Sequence, residues 1–415
     1  MVDTCAPVQT KQTMKIVMLA PASVIHTQRW AEALGARGVE VVLATQHADA
    51  AWPVPAGVRV VRLPYEGTAG YFRNVPALRR LLRTERPALL NAHYASGYGT
   101  TAALAGFRPW LLSVWGSDVY DFPNEGRLKR WWLRLNLRLA DAIASTSEAM
   151  AGQVRRLLPD VGSVGGVGDI GNFGHVGDVS DVGNAGHVAG VGDVAGVAVT
   201  PFGIDTHRFT PQPRPHDGVV IGTVKTLAPK YGIDVLLRAF ALLLADGRPG
   251  VTLVIVGGGP QRAELEALTA QLGIAAQVRF VGPVAHAEVP QWLNGMDIYV
   301  AASRLDSESF GVAVLEASAC ALPVVVSDAG GLPEVVVHGE TGLVVPRENP
   351  QALADALRRL VAAPALRRAL GDAGCERVRR HYEWSNSVDR MLACFNALCA
   401  RHHMATANAS QVPAP

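Results

Sequence analysis

The stretch GVVIGTVKTLAPKYGID, residues 218–234, joins a short apolar run to a turn with two lysines and then to a segment with helical spacing. A strand, turn and helix in this order is typical of parallel α/β sheets. Lys225 and Lys230 lie in the turn, at the carboxyl end of the predicted strand and beside a helix N-terminus. Ligands of open α/β sheets bind at that end, and ammonium groups beside helix amides suit a diphosphate. The alternative is two solvated loop lysines.

The same alternation of β-rich runs and amphipathic helices continues on both sides of residues 161–197. It is typical of doubly wound sheets and predicts two Rossmann-like domains in series. The predicted strands of the first domain are Lys15–Ala20, Val39–Ala44, Val58–Leu63, Ala88–His93, Trp110–Trp115 and Ala142–Ser145, with helices at Thr27–Arg37 and Pro76–Arg83. Those of the second are Gly218–Val224, Val251–Val256, Val278–Val281, Ile298–Ala301, Pro323–Val326 and Gly342–Val345, and Ala198–Thr200 is a short strand after the insert.

The composition fits two globular domains. The 415 residues are 49% hydrophobic and 18% charged, which excludes a disordered tail protein, and a net charge of +2 excludes a nucleic-acid binder driven by bulk electrostatics. Five scattered cysteines without a Cys-x-x-Cys pair indicate a reducing compartment. No signal peptide and no long apolar run is visible, so we expect a soluble cytoplasmic protein.

Residues 161–197 contain 12 of the 42 glycines, and glycine recurs there at nearly every third place. The segment has no proline, which argues against a collagen-like helix, and we expect a disordered Gly/Val-rich insert. Its acidic residues and histidines, such as Asp169 and His175, could in principle bind a metal. Because so much glycine makes ordering costly, we expect no metal site there.

The basic charge is concentrated in the first domain. Residues 1–160 carry 19 basic and 12 acidic residues, whereas residues 198–415 carry 19 and 20. The densest patch lies on a predicted helix and consists of Arg127, Lys129, Arg130, Trp131, Trp132, Arg134 and Arg138. Such a helix could lie against an anionic membrane surface. The alternative is an ordinary amphipathic helix with tryptophan and leucine in the core and arginine in water.

The strongest chemical pattern is ESFGVAVLE, with two carboxylates eight positions apart at Glu308 and Glu316. If a helix begins near Phe310 or Gly311, its free amides can hold phosphate, with Glu308 in front and Glu316 inside the helix. Glu316 lies in an apolar run, where an unpaired charge would be costly. Two surface glutamates are the alternative. Gly258, in the trio Gly257–Gly259 after the next strand, would let a ligand approach the backbone. Together with the two lysines, these residues describe a sugar-nucleotide site.

Several motifs together resemble the retaining glycosyltransferases of family 4, which have the GT-B fold. They are Glu308–Glu316, PVVVSDAGGLPE at 323–334, HGETGLVVP at 338–346 and PFGIDTHRF at 201–209. The resemblance implies two facing Rossmann-like domains, with the acceptor held by the first and the donor by the second. The implied bounds are 14–200 with the insert, 201–380, a helix at 381–403 that crosses back to the first domain, and a disordered tail at 404–415; Trp384–Arg401 is the candidate for that helix.

The resemblance also implies roles for single residues. Lys225 and Lys230 would neutralise the leaving nucleoside diphosphate, a task that many transferases give to a metal ion, so no metal or cofactor is expected. Lys225 replaces the arginine more usual in the family. Glu308 would bind hydroxyls of the donor sugar, Glu316 those of the ribose, and the amides of Phe310 and Gly311 the phosphates. No enzyme nucleophile is expected.

The first domain matches the family less closely. Many members place a histidine after the fifth strand, where this chain has Trp115, so Asp118 becomes the best polar candidate for orienting an acceptor. An aspartate that caps a turn or helix is the alternative reading of Asp118. His26 and His93 follow the first and fourth strands and are either structural or ligand contacts.

The sequence therefore predicts a retaining glycosyltransferase that moves a sugar from a nucleoside-diphosphate sugar to a hydroxyl on a glycan or lipid-linked acceptor. Surface polysaccharide or glycolipid biosynthesis is the expected setting, with peripheral membrane contact and no nucleic-acid partner. Two alternatives remain open. One is a sugar-nucleotide epimerase of the same fold, and the other is a non-catalytic donor-binding scaffold subunit.

Overall fold

The computed structural model describes residues 14–47, 52–158, 196–212, 214–247 and 250–409. The predicted disordered insert therefore lies outside the described residues except for its last two. The chain divides into two compact units. The first unit comprises Met1–Ala144, Leu158–Ala198 and Met391–Pro415, and the second comprises Ser145–Leu157 and Val199–Arg390.

The first unit is built on a seven-stranded sheet with the strand order β3-β2-β1-β4-β5-β6-β7. The strands are β1 (Lys15–Leu19), β2 (Glu40–Thr45), β3 (Val58–Arg62), β4 (Leu89–His93), β5 (Trp110–Ser113), β6 (Ala142–Ser145) and β7 (Val197–Val199). The helices are α1 (Ile25–Ala36), α2 (Gly67–Arg73), α3 (Val75–Glu85), α4 (Tyr98–Ala105), α5 (Ser117–Tyr120) and α6 (Arg127–Leu139). The neighbouring strands from β3 to β6 pair in parallel, and all seven predicted strands are confirmed to within two residues.

The second unit contains a six-stranded parallel sheet with the strand order β10-β9-β8-β11-β12-β13. The strands are β8 (Val219–Val224), β9 (Val251–Val256), β10 (Val278–Gly282), β11 (Ile298–Ala301), β12 (Val324–Ser327) and β13 (Gly342–Val345), again as predicted. This order is that of a Rossmann sheet, and its direction reverses between β8 and β11. The carboxyl ends of those two strands therefore define the place where a ligand is expected.

The helices of the second unit alternate with its strands along the chain. They are α7 (Glu148–Leu157), α8 (Ile233–Leu244), α9 (Arg262–Gln271), α10 (Val289–Leu293), α11 (Val312–Ala319), α12 (Leu332–Val335), α13 (Pro350–Ala362) and α14 (Pro364–His381). Phe240 of α8 and Leu357 of α13 are fully buried in one apolar core with the strands. That core fixes α8, whose N-terminus follows the lysine turn.

The structure differs from the predicted bounds at two places, residues 145–157 and residues 404–409. Residues 145–157, placed in the first domain by the sequence, belong to the second unit. The reason is visible at the start of α7, where the Glu334 carboxylate accepts hydrogen bonds from the amides of Glu148 and Ala149 at 3.1 and 3.2 Å. The Ser147 hydroxyl donates to the Ser309 carbonyl at 2.6 Å. The two bonds to Glu334 satisfy amides that a helix N-terminus leaves without partners, and the Ser147 bond adds a further connection to the second unit.

The final helix α15 (Trp384–Ala409) covers the predicted Trp384–Arg401 segment and continues beyond it. Residues 404–409 are helical, so the disordered tail predicted from residue 404 was wrong for these six residues. The remainder of that tail, residues 410–415, lies outside the described residues. The division places α15 from Met391 onward in the first unit.

Gly232 fixes the lysine turn against the end of β11. It has φ +61°, and a Cβ added there would lie 2.0 Å from the Ala302 carbonyl oxygen. Gly273 has a similar φ of +70° but nothing within 4 Å of its added Cβ. The two glycines therefore share the same backbone strain and differ in steric contact.

We predict that Gly232→Ala lowers the free energy of unfolding of the second unit by at least about 2 kcal/mol more than Gly273→Ala. Both substitutions meet the left-handed backbone penalty of about 1–2 kcal/mol, and only the first adds a backbone clash. Denaturant unfolding followed by circular dichroism measures the difference. Equal losses in the two variants would contradict the close approach of Gly232 to β11.

Candidate functional site

An ion pair spans the point where the second sheet reverses. Lys225 is the first residue after β8, and Glu308 lies in the loop after β11. The Lys225 Nζ atom is 2.9 Å from both Glu308 carboxylate oxygens. The two side chains are only 17% and 10% exposed. The structure thus brings together two residues that the sequence singled out separately, 83 positions apart.

Aromatic groups surround this pair. The Lys225 Nζ lies 4.6 Å from the centre of the Tyr231 ring, and the buried Tyr299 hydroxyl donates to the Val224 carbonyl at 3.3 Å. Burial opposes the charge on Lys225, but the Glu308 carboxylate outweighs it and raises the pKa of Lys225. Burial raises the pKa of Tyr299 to about 12. The carboxylate beside it therefore stabilises Lys225 in its charged form at a largely buried site.

Lys230 lies in the short 3₁₀ turn Pro229–Tyr231, immediately before α8. Its ammonium faces the Tyr231 ring at 4.9 Å, and no carboxylate of the described residues pairs with it. Its carbonyl accepts a hydrogen bond from the Arg304 amide at 2.8 Å. The Arg304 guanidinium in turn binds Asp234, in the first turn of α8, at 2.5 Å. The turn is thus held in place while its half-buried ammonium stays available to an anion.

The loop that carries Glu308 is held by a pair of glycines that the sequence left without a role. The Gly331 amide donates to the Glu308 carbonyl at 3.0 Å, and a Cβ on Gly331 would lie 2.2 Å from the Ser309 carbonyl oxygen. The Gly330 amide donates to Asp306 at 3.1 Å. Only glycine allows this approach, which places the Glu308 side chain toward Lys225.

Arg347 closes the other side of that loop. Its guanidinium binds Asp306 at 2.8 Å and Asp328 at 3.0 Å, and so joins the loops after β11, β12 and β13. Burial alone would raise the pKa of Asp306, but Arg347 holds it below its usual range. The three loops form one polar frame at the carboxyl edge of the sheet.

The N-terminus of α11 opens on the same edge. The helix begins at Val312, one residue after Gly311 and two after Phe310, the predicted starts. Gly311 has φ +94°, and its carbonyl accepts from the amides of Val314 and Leu315. The amides before these stand outside the helical hydrogen bonds, which is the arrangement that binds phosphate oxygens.

Glu316 has a partner that sequence reasoning missed. Its carboxylate is buried in α11 and lies 2.8 Å from the Nε2 atom of His286, in the 3₁₀ turn after β10. The Nδ1 atom of His286 is buried without a hydrogen-bond partner in the described structure. The sequence indicated that burying Glu316 without a partner would cost free energy. No spacing in the sequence connects Glu316 with a histidine 30 residues away.

Two glycines of the trio Gly257–Gly259 pack directly against the backbone of the loop after β8. A Cβ added to Gly257 would lie 1.9 Å from the Lys225 carbonyl oxygen. A Cβ added to Gly259 would lie 2.3 Å from the Leu227 carbonyl oxygen. The Leu227 amide also donates to the Gly258 carbonyl at 2.9 Å. Gly257 and Gly259 are thus required by the packing of two loops. A ligand contact at Gly258 stays a prediction.

Asp118 organises a loop in the first unit. One of its oxygens accepts from the Ala95 amide at 2.8 Å, and the other accepts from the amides of Trp115 and Gly116 at 3.1 and 2.9 Å. Burial raises the pKa of Asp118, although these amides oppose the shift. A carboxylate with both oxygens engaged and 2% exposure fits the turn-capping alternative. These contacts do not test the expected acceptor-orienting role of Asp118, which stays a prediction.

Trp115 is the centre of an aromatic cluster at the carboxyl edge of the first sheet. Its ring lies 5.9 Å from the His26 ring and 4.9 Å from those of His93 and Tyr94. His93 is fully buried, which lowers its pKa to about 3, and its Nε2 atom is 2.8 Å from the Asn91 amide oxygen. His93 is accordingly a structural residue, whereas His26 and Trp115 are half-buried.

Two other kinds of feature, a metal-ligand cluster and a membrane-spanning helix, are absent from the described residues. Within the described ranges, no three histidine, cysteine or acidic side chains are grouped as metal ligands would be. Among the helices of the described structure, none combines the length and apolarity needed to cross a bilayer.

Two Rossmann-ordered units, the second with a lysine–carboxylate site at its reversal point, define the class of protein, and comparisons with known proteins identify the family. The family model described as "Glycosyl transferase 4-like" matches residues 15–147, and that described as "Glycosyl transferases group 1" matches residues 206–377. The chain belongs to the group 1 glycosyltransferases of GT-B fold.

Curated relatives are similar over part of their length. The D-inositol 3-phosphate glycosyltransferase of Jonesia denitrificans is 36% identical over 46% of this chain and 49% of its own. The GDP-mannose-dependent alpha-(1-6)-phosphatidylinositol monomannoside mannosyltransferase of Mycolicibacterium smegmatis is 34% identical over 46% of this chain and 54% of its own. The similarity thus spans about half the length of these relatives.

Solved structures share the fold at low identity. Sucrose-phosphate synthase from Thermosynechococcus elongatus has a TM-score of 0.73 at 22% identity and covers 94% of this chain and 100% of its own. Anabaena Alr3699/HepE in complex with UDP and glucose has a TM-score of 0.72 at 19% identity, over 93% of this chain and 100% of its own.

We predict that Lys225 and Glu308 stabilise the second unit as a coupled pair. Lys225→Met alone or Glu308→Gln alone leaves a buried charge without its partner and costs about 3–5 kcal/mol, whereas the double variant removes both charges. Chemical unfolding of the four proteins in a double-mutant cycle gives the coupling free energy, which we expect to exceed about 1 kcal/mol. Additive losses would contradict the pairing.

We also predict that Asp118→Asn destabilises the first unit by about 2–3 kcal/mol. The asparagine NH₂ group would face main-chain amides that now donate to a carboxylate. Asp121→Asn, three residues away at an exposed position, is the matched control. If Asp118→Asn unfolded like this control, the loop-organising role of Asp118 would be untenable.

Proposed function

We propose that this protein is a glycosyltransferase of hexosyltransferase type that transfers a sugar from a nucleoside-diphosphate sugar to a hydroxyl, with retention of anomeric configuration. The observation that carries the proposal is the Lys225–Glu308 pair at the reversal point of the second sheet, with Lys230 beside it before α8. These charges suit a sugar diphosphate. The two ammonium groups can neutralise the diphosphate, and the carboxylate can accept hydrogen bonds from the sugar hydroxyls.

On donor binding, the diphosphate would take the place of Glu308 as the counter-ion of Lys225. Lys230, which pairs with no described carboxylate, would share that charge. The released Glu308 carboxylate would then accept hydrogen bonds from hydroxyls of the transferred sugar. As the sugar leaves, negative charge grows on the departing phosphate, and two fixed ammonium groups stabilise it in a site with little water.

The helix α11 completes the donor site in this proposal. The amides near Phe310 and Gly311 would meet phosphate oxygens, and Glu316 would accept from the ribose hydroxyls while His286 orients its carboxylate. The ammonium groups would fill the role that a metal ion has in many transferases, so we expect transfer without an added metal.

Retention without a covalent sugar–enzyme intermediate fits the arrangement of Glu308. Once the diphosphate has replaced it beside Lys225, the Glu308 carboxylate would accept hydrogen bonds from hydroxyls of the transferred sugar, which orient it for binding and weaken its nucleophilicity. The acceptor hydroxyl would attack on the face from which the diphosphate leaves, and the departing phosphate oxygen would take its proton. The enzyme then needs no nucleophile of its own.

The acceptor that we propose is a glycan or a lipid-linked sugar in surface polysaccharide or glycolipid biosynthesis. Support comes from a relative whose name specifies phosphatidylinositol monomannoside. We place the reaction in the cytoplasm. In the described structure Cys320, Cys375, Cys394 and Cys399 form no disulfide, which suits a reducing compartment.

We predict that Lys230→Ala lowers kcat/KM for transfer by about 10²–10³, because one fixed donor to the leaving phosphate is lost. Its half-exposed side chain makes no ion pair in the described residues, so the melting temperature should stay unchanged. Arg238→Ala, which removes one exposed positive charge from the same unit, should keep wild-type kinetics. Turnover is measured from released nucleoside diphosphate.

The remaining arms of the experiment test the reaction type. Glu308→Gln should abolish transfer, and NMR of the wild-type product should show the anomeric configuration of the donor. Wild-type turnover in both Lys230→Ala and Glu308→Gln would overturn the site. An inverted product would overturn the mechanism, an epimerised donor without acceptor would indicate an epimerase, and donor binding without turnover across acceptors would indicate a scaffold subunit.

A further inference from the structure

Three large apolar side chains of the first unit project into solvent at one place. Leu128 and Trp131 of α6 are 75% and 56% exposed, and Phe72 of α2 is 48% exposed. The Phe72 ring lies 5.7 Å from the ring of Trp132, which in turn lies 5.9 Å from Trp131. Phe72, Leu128 and Trp131 together form the α6 patch.

The exposure of the patch follows from how α6 is anchored. Leu133 and Leu137 are buried in the first unit, and the Asn136 side chain donates to the Ala95 carbonyl at 2.9 Å. The Trp132 indole donates to the Thr100 hydroxyl at 2.8 Å. With one face fixed by these contacts, the helical repeat turns Leu128 and Trp131 outward. The reading of α6 as a helix with both tryptophans in the core was therefore wrong for Trp131.

Basic residues border the patch. The sequence of α6, RLKRWWLRLNLRL, contains five basic residues and no acidic one. On a helical projection, four arginines fall along one side of the line through Leu128 and Trp131. They are Arg127, Arg130, Arg134 and Arg138. Lys129 pairs with Glu125, just before the helix. An exposed apolar line thus runs beside a row of arginines.

We infer that the α6 patch binds an anionic membrane surface. Tryptophan and leucine on one side and arginine on the next are the combination that enters the headgroup boundary of a bilayer, where the rings are buried and the guanidinium groups meet lipid phosphates. The inference goes beyond the proposed transfer reaction and needs neither donor nor acceptor.

Charge complementarity distinguishes three possible binding partners of the α6 patch: a second copy of the chain, a nucleic acid and an anionic bilayer. A second copy of this chain would bring the same arginine row against itself across a two-fold axis, which is repulsive. A nucleic acid would match the arginines but would leave Leu128 and Trp131 without an apolar partner. An anionic bilayer satisfies both parts of the surface, because it offers phosphates beside an apolar interior.

The test is co-sedimentation of the full chain with vesicles, at low salt and without nucleotide. We predict binding to phosphatidylcholine vesicles that contain phosphatidylglycerol, and at least about tenfold weaker binding to phosphatidylcholine alone or in 0.5 M salt. Arg127→Gln/Arg130→Gln should weaken binding about 25-fold, since each basic residue near the surface contributes roughly a factor of five. Leu128→Ser/Trp131→Ser should weaken it about tenfold or more.

Each variant has a matched control. Arg359→Gln/Arg368→Gln removes two exposed charges from the second unit, and Leu305→Ser/Met404→Ser removes two exposed apolar side chains elsewhere. Both controls should bind vesicles like the wild type. Undiminished binding by either α6 variant would overturn the inference, as would equal binding to neutral vesicles. Binding to duplex DNA as tight as to anionic vesicles would also overturn it.

Discussion

The ion pair between Lys225 and Glu308 connects the two strand ends at which the second sheet reverses. A buried ammonium is tolerated only beside a carboxylate, so the loop after β8 and the loop after β11 have to meet. Much of the surrounding structure serves that meeting. Gly232 allows the lysine turn to pack against the residue that follows β11, and Gly331 allows its own backbone to approach the loop that carries Glu308. Arg347 binds aspartates of the loops after β11 and β12. The loops that carry the site are therefore held by contacts of their own, which is what the proposed electrostatic stabilisation of a leaving diphosphate needs.

The fold was predictable because its information is local. Each strand of both sheets is a short β-rich run bounded by a turn, and alternation with helices leaves few topologies other than parallel sheets. The lysines and glutamates of the second unit were predictable for a related reason, since strand ends of a parallel sheet meet at one edge. The GT-B expectation is confirmed by the family models and the solved structures.

What could not be predicted depends on contacts between distant segments. Nothing near Glu316 in the sequence points to His286, and nothing near Asp118 shows that three amides from two loops close around its carboxylate. The packing role of Gly257 and Gly259 was also not predictable, because each accommodates a neighbouring backbone that the sequence does not show. The exposure of Trp131 is a similar case, since spacing places it on a helix but only packing decides which face is covered.

The most direct measurement of the proposed donor site is calorimetric titration of the wild type and Lys230→Ala with uridine, guanosine and adenosine diphosphates, and with the corresponding nucleosides. We expect one diphosphate to bind the wild type at least about tenfold more tightly than its nucleoside, and we expect Lys230→Ala to lose most of that difference. Binding of no diphosphate, or a diphosphate preference that is undiminished in Lys230→Ala, would contradict the assignment of the lysine turn as the diphosphate site.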